Sequence, residues 1–260
     1  MSSICTTCPY CGVGCGIRTD GKELQGDSAH PANAGRLCVK GSSVLETLGD
    51  QDRLLYPDID GERVSWDRAL DEVAERFRRI VDEHGPDAVA FYVSGQLLTE
   101  DYYVANKLMK GYIGSANIDT NSRLCMSSAV VAHKRAFGED VVPGCYEDLE
   151  IADLVILTGS NTAWAHPIVY QRIAAAKQAR PEMKVVVIDP RRTATCDLAD
   201  LHIPVRPGQD VPLFNGLLTW LDDHNALDQD YIAHHTNGFD QALATARAQG
   251  NDWDALSRQL

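Results

Sequence analysis

Thr6-Thr7-Cys8-Pro9-Tyr10-Cys11-Gly12-Val13-Gly14-Cys15-Gly16 decides how the rest of this chain is read. Cys8, Cys11 and Cys15 stand at C-x2-C-x3-C spacing, and Cys38 follows after 22 intervening residues. Small residues between the cysteines let backbone amides approach bound sulfur and donate hydrogen bonds to it. Of eight cysteines in all, five (Cys5, Cys8, Cys11, Cys15 and Cys38) fall within the first 38 positions, a crowding that packing alone does not explain. A structural zinc site is built from two close pairs. Here only Cys8 and Cys11 make one. A [4Fe-4S] cluster takes three closely spaced thiolates and a distant fourth. The cluster is therefore the favoured reading of Cys8, Cys11, Cys15 and Cys38, with zinc and simple packing left open.

Cys5 complicates the pattern. Cys5-x2-Cys8-x2-Cys11-x3-Cys15 imitates the bacterial ferredoxin run, in which a proline follows the last cysteine. Gly16 follows Cys15 here, so Cys5 is read as a bystander.

Working outward, a length of 260 residues predicts one large or two modest domains. That is enough chain to bury a core without disulfides. With 24 Lys+Arg against 37 Asp+Glu the formal net charge is −13. Such acidity argues against sequence-independent nucleic-acid binding, which needs a basic face. The cluster region is not its source: Arg18, Lys22, Arg36 and Lys40 balance Asp20, Glu23 and Asp27. No apolar run approaches the ~18 residues of a membrane span, so no membrane partner is expected. The first residues show no basic segment, apolar stretch or twin arginine, so a cytoplasmic location is expected. In that compartment thiols serve metals or catalysis more often than disulfides.

Beyond Tyr56-Pro57 the periodicity changes. Ser65 is the expected N-cap of a helix over Trp66–His84, a core scaffold with Leu70, Val73, Phe77, Ile80 and Val81 on one face. Gly85-Pro86 stops it. Ala88–Val93 reads as a buried strand, Ser94-Gly95-Gln96 as the loop after it, and Thr99 as the cap of a helix with Val104, Leu108 and Met109. The rhythm then repeats. Strands are expected at Leu154–Leu157, Val185–Ile188 and His202–Val205, with helices over Pro167–Ala179 and up to Leu221. This is the βαβ pattern of an α/β fold, a doubly wound parallel sheet. Ligands of such sheets sit outside the carboxyl ends of the strands. The loops beginning at Thr158, Asp189 and Pro207 all fall there.

Together with Gly35-Arg36-Leu37-Cys38-Val39-Lys40-Gly41, Asn121-Ser122-Arg123-Leu124-Cys125-Met126-Ser127-Ser128, Gly159-Ser160-Asn161 with His166-Pro167, and Asp189-Pro190-Arg191-Arg192-Thr193, the cysteine run resembles the molybdopterin oxidoreductases of the dimethyl-sulfoxide-reductase superfamily, and among them the assimilatory nitrate reductases. The resemblance implies a [4Fe-4S] domain over residues 1–56 and an α/β segment over 57–138 with the molybdenum-ligand loop. A Rossmann-like segment over 139–260 would continue past the chain end. It implies two cofactors, a [4Fe-4S] cluster held by Cys8, Cys11, Cys15 and Cys38, and molybdenum bis(molybdopterin guanine dinucleotide). Cys125 would be the molybdenum ligand; read alone it would be an inert buried thiol. Lys40 would stand between cluster and pterin and stabilise added negative charge; read alone it is a surface lysine.

Dinucleotide contacts are implied for Gln96, Asn121, Thr158, Gly159, Ser160 and Asn161 through to Ala165. They extend to Asp189, Pro190, Arg191, Arg192 and Thr193, and to Gly208, Gln209 and Asp210. Arg191 or Arg192 suits a phosphate and Asp189 or Asp210 a guanine edge, although Arg191-Arg192 also reads as a solvated turn. Met126 stands where formate dehydrogenases commonly carry histidine, which favours nitrate over formate. The histidines show no zinc-enzyme spacing. His202, His234 and His235 read as surface or helix-end residues, and Cys145 and Cys196 as packing or incidental thiols rather than ligands. The function implied is reduction of nitrate to nitrite in nitrate assimilation, with electrons entering through the cluster from ferredoxin, flavodoxin or a flavoprotein. Family chains are several times longer, so a fragment, or a cofactor-binding module without turnover, is the alternative beside a formate dehydrogenase.

Overall fold

A computed structural model describes residues 3–95 and 97–248. The chain is α/β and divides into two compact units, Met1–Tyr146 and Glu147–Leu260.

The first unit opens with an antiparallel sheet of β1 (Ile4–Thr7), β2 (Gly16–Thr19) and β3 (Leu24–Gly26) in that spatial order. β-branched Ile4, Thr6, Thr7, Ile17 and Thr19 suit a pleated surface, and Ile17 is fully buried beneath it. Thr7 pairs with Gly16, so residues 8–15 form the loop of the β1–β2 hairpin. A single helical turn, α1 (Val39–Ser42), begins directly after Cys38. A small hairpin of β4 (Asp58–Ile59) and β5 (Glu62–Arg63) turns through Asp60 and Gly61, both at positive φ, as a two-residue hairpin loop demands.

The following helix, α2 (Trp66–His84), starts and stops where the sequence predicts, and the Ser65 side chain accepts from the Arg68 N–H at 3.3 Å. Its role as a core scaffold is corrected. No residue of α2 is fully buried, Leu70 is 60% exposed, and the helix meets the sheet through Phe77 against Phe91, ring centroids 6.1 Å apart.

Next come β6 (Phe91–Val93), α3 (Thr99–Asn106), which runs into a π-helical turn at Lys107–Ile113, β7 (Ile118–Thr120), α4 (Ser122–Cys125) and α5 (Ser127–Phe137). β6 and β7 are parallel, with Val93 beside Thr120 at their carboxyl ends. The strand is shorter than the expected Ala88–Val93, because Pro86–Ala88 is a 3-10 turn held by Ser115, whose hydroxyl donates to the Asp87 carboxylate at 2.7 Å. Thr99 is not a cap. Leu98 holds that position, and its N–H is satisfied by the Asp101 carboxylate reaching back at 3.2 Å.

The second unit contains α6 (Asp148–Ile151), β8 (Leu154–Thr158), α7 (Thr162–Ala165), α8 (Pro167–Ala179), β9 (Lys184–Ile188), β10 (Leu201–Ile203), α9 (Asp210–Asp223), α10 (Gln229–His235) and α11 (Phe239–Ala248). Its sheet is parallel in the order β10-β9-β8. The central strand is the most apolar, with Val185, Val187 and Ile188 all buried, as both faces of a covered parallel sheet require. α8 opens on Pro167, a residue suited to the first helical turn, and packs Ile173 and Ala176 onto Val155, Met183 and Val185. Arg172 on the same helix is buried, its Nε 2.7 Å from the Glu150 carboxylate. The third strand covers Leu201–Ile203, and Val205 lies past its end in a second cluster with Ile188 and Leu213.

Candidate cofactor site

Each proposed cluster ligand has a definite place. Cys8, Cys11 and Cys15 lie on the hairpin loop, and Cys38 is the residue before α1. The Cys8 N–H donates to the Cys15 carbonyl at 2.8 Å, which extends the ladder one step past Thr7 and Gly16. The thiols sense one another. Burial pushes the Cys15 thiol up to about 11, and Cys11, Cys8 and Cys38 push it in the same direction. Burial also raises the Cys8 thiol. The Tyr10 backbone N–H opposes that rise, Cys11 and Cys38 add to it, and the Lys40 ammonium opposes it.

A bound cation would favour the thiolate form of Cys8 and Cys15, and a polynuclear cluster spreads its ligands over several metals. Among the described residues no three His, Cys, Asp or Glu side chains converge as they would around one metal ion. Four cysteine sulfurs, three on one hairpin loop and one at the start of α1, are the donor set that a [4Fe-4S] cluster takes. Lys40, on α1, is near enough to Cys8 for its ammonium to oppose the rise of that thiol. Cys5 sits exposed on β1 opposite Arg18.

Two residues absent from the sequence reading hold this arrangement. Asn33 is fully buried. Its Oδ1 accepts from the Gly16 N–H at 2.8 Å, and its Nδ2 donates to the Gly16 carbonyl at 3.0 Å and the Arg36 carbonyl at 2.8 Å. Tyr146 donates its hydroxyl to the Val13 carbonyl, inside the cysteine loop, at 2.8 Å. The available signal was a lone amide within Pro31-Ala32-Asn33-Ala34-Gly35, where small residues leave a polar side chain nothing to face except backbone.

A cavity of about 570 Å³ opens beside the cysteine loop, lined by Cys8, Tyr10, Cys11, Gly95, Leu98 and Asp101 among others. It joins the proposed cluster ligands to the loop at the carboxyl end of β6, the edge at which parallel sheets bind ligands. Asn121 and Cys125 emerge from the neighbouring end of β7. The Cys125 N–H donates to the Asn121 carbonyl at 2.9 Å, and the Asn121 side chain lies against Gly95. Cys125 is exposed, so its thiol is accessible to a metal rather than sealed in a core. Gln96 lies outside the described residues.

The remaining candidates all belong to the second unit, at the carboxyl edge of its sheet. After β8, which ends at Thr158, Gly159 donates to the Ile188 carbonyl at 2.8 Å, and the Ser160 and Thr162 hydroxyls pair at 2.6 Å. The Asn161 carboxamide oxygen accepts from the Thr195 hydroxyl at 3.3 Å, and that hydroxyl accepts from the Ala163 N–H at 3.1 Å. The loops after β8 and β9 are thus laced together.

Asp189 is buried, and its Oδ1 accepts from the Arg191 N–H at 2.8 Å, which folds the turn Asp189-Pro190-Arg191 and leaves Pro190, Arg191 and Arg192 exposed. Thr193 accepts from the Thr195 N–H at 3.3 Å. His202 is corrected: it is a part-buried strand residue with Nε2 2.9 Å from the Asp189 carbonyl, so it supports this turn. Cys145 is exposed and Cys196 is buried, so the second is a packing thiol and the first an incidental one. Gly208 has φ +84 and leads to Gln209, the residue before α9, and Asp210 in its first turn. A carboxylate at that helix end disfavours phosphate and suits an N–H donor.

The model of the molybdopterin oxidoreductase family matches residues 53–250, and that of the molybdopterin oxidoreductase Fe4S4 domain matches residues 1–49. The chain is 58% identical over 259 residues to a nitrate reductase of Klebsiella oxytoca, covering 98% of this chain and 29% of that protein. It is 52% identical over 273 residues to a nitrate reductase of Shewanella frigidimarina, covering 100% and 29%. The chain thus spans about 29% of the length of these curated relatives. In fold it resembles the acetylene hydratase of Pelobacter acetylenicus, with TM-score 0.79 and 23% identity over 98% of this chain and 36% of that one.

Proposed function

This chain belongs to the molybdopterin oxidoreductase family, and from that premise we propose that it is part of an assimilatory enzyme reducing nitrate to nitrite. The observation that carries the proposal is the cavity that Cys8 and Cys11 of the hairpin loop line together with Gly95 and Leu98 after β6. The net reaction is nitrate plus two protons and two electrons giving nitrite and water. When bound, the cluster supplies one-electron transfer, and molybdenum with two molybdopterin guanine dinucleotides supplies oxygen-atom chemistry.

The chain's own residues bind, orient and tune. Cys8, Cys11, Cys15 and Cys38 would hold the cluster, and the Lys40 ammonium would offset negative charge added beside them. The Cys125 thiolate, a soft donor, would hold molybdenum. Asn121 and Gln96 in the first unit are proposed dinucleotide contacts, and so, in the second unit, are the loops Thr158–Asn161, Asp189–Thr193 and Gly208–Asp210. Arg191 and Arg192 suit phosphate; Asp210 suits a guanine N–H. The division into residues 1–56, 57–138 and 139–260 follows these roles. Ferredoxin, flavodoxin or a flavoprotein is the proposed donor. The cytoplasm is the proposed compartment.

The full-length protein, purified without air, tests this. Bound iron and molybdenum and nitrite production from nitrate with a reduced viologen are the expected result. Formate oxidation without nitrate reduction, or iron without molybdenum and without turnover, would overturn it. Cell fractionation checks the compartment, and activity in the periplasmic fraction would refute that part.

A further inference from the structure

We propose that Asn33 is a positioning residue that sets Cys15 and Cys38 in register, so that the thiol group is assembled before iron arrives. The inference rests on the reading of Cys8, Cys11, Cys15 and Cys38 as cluster ligands, and adds to it a residue that touches no metal. Gly16 directly follows Cys15, and Arg36 stands two residues before Cys38. The Asn33 carboxamide binds both peptide groups of the first junction and the carbonyl of the second. The Arg36 N–H returns a bond to the Asn33 backbone carbonyl at 2.9 Å. With the bond from Cys8 to Cys15, three of the four ligand positions are tied into one hydrogen-bonded network.

The amide is fully buried, so each bond acts in a low-dielectric setting where an unmade partner is costly. The seat also has little freedom to shift. A β-carbon on Gly16 would stand 2.4 Å from the His30 side chain, so His30 closes the junction from the other side. Aspartate at position 33 would keep the acceptor for the Gly16 N–H and face the two carbonyls with an oxygen instead of a donor. Serine would keep one neutral hydroxyl in place of the fork.

The test uses the 260-residue chain, loaded without air with ferrous iron and inorganic sulfide. Wild type, Asn33→Asp, Asn33→Ser and Cys38→Ser are compared. Iron per chain, the paramagnetic spectrum and potential of the reduced cluster, and the rate of iron loss to a chelator are read. Far-ultraviolet circular dichroism of the metal-free chains checks folding.

Expected are metal-free Asn33 variants that keep wild-type dichroism yet lose iron about 10- to 100-fold faster, the usual range for outer-shell partners, with an altered spectrum and potential. A folded Asn33→Ser chain matching wild type in rate of iron loss, spectrum and potential overturns the proposal. So does unfolding of both metal-free variants, because Asn33 would then serve the fold and not the cluster. If wild type takes up no cluster, or Cys38→Ser takes up the same one, the ligand reading itself fails, a separately visible result.

Discussion

Gly26 and Gly35 pack backbone against backbone: a β-carbon on Gly26 would lie 2.1 Å from the Gly35 carbonyl oxygen. This contact joins the end of β3 to the loop that leads to Cys38. A carbonyl cannot swing aside as a side chain can. Gly26→Ala should therefore destabilise the chain by about 1–3 kcal/mol, the usual cost of overpacking. Gly49→Ala, where nothing stands within 4 Å, should be close to neutral. Urea unfolding of the two variants measures the difference, and equal midpoints would refute the argument.

Cys5 and Cys38 should separate cleanly. Cys5 is an exposed strand residue, and Cys38 acts on both Cys8 and Cys15. Cys38→Ser should remove most bound iron after anaerobic loading, and Cys5→Ser should leave iron per chain unchanged. Iron analysis showing the reverse would hand the fourth ligand to Cys5.

Cys125 is the last residue of α4, its thiol exposed, and lies on a different element from the hairpin that carries Cys8, Cys11 and Cys15. In the full-length enzyme Cys125→Ser should leave the iron spectrum intact and lower nitrate turnover by at least the 10- to 100-fold usual for a disturbed metal site. Retained turnover would remove Cys125 from the metal.

Acid should weaken the second unit through Asp200. Its side-chain bond from Lys177 and the Val185 N–H at 2.8 Å hold the carboxyl down to about 2, from an ordinary 3.8. A carboxyl lowered in the folded state stabilises fully above its unfolded value, and that stability is lost as pH falls through the folded value. The Tm difference between wild type and Asp200→Asn should be constant above about pH 5 and shrink between pH 4 and pH 2. A difference that does not change across that window would count against the Lys177–Asp200 pair.

Much of the fold was legible because its signals are local. Ser65 and Gly85 bound α2, Pro167 opens α8, and the apolar run at Val185–Ile188 marks the central strand, all without reference to distant residues. Errors arose where a partner far along the chain decided. Ser115 shortens the strand before Phe91 by holding Asp87. Asp189 turns His202 inward. The apolar stripe of α2 reports amphipathicity but not how much of it is covered.

The sequence by itself determined the chemistry on offer: soft sulfur ligands at cluster spacing, a lysine two residues after Cys38, and glycine-rich loops placed after strands. Those follow from residue type and interval alone. Only the tertiary structure decided which atoms hold these groups in place. Hydrogen bonds such as those from Asn33 to Gly16 and Arg36 link peptide groups 17 and 3 positions away, and peptide groups are identical in every residue, so no letter of the sequence records them.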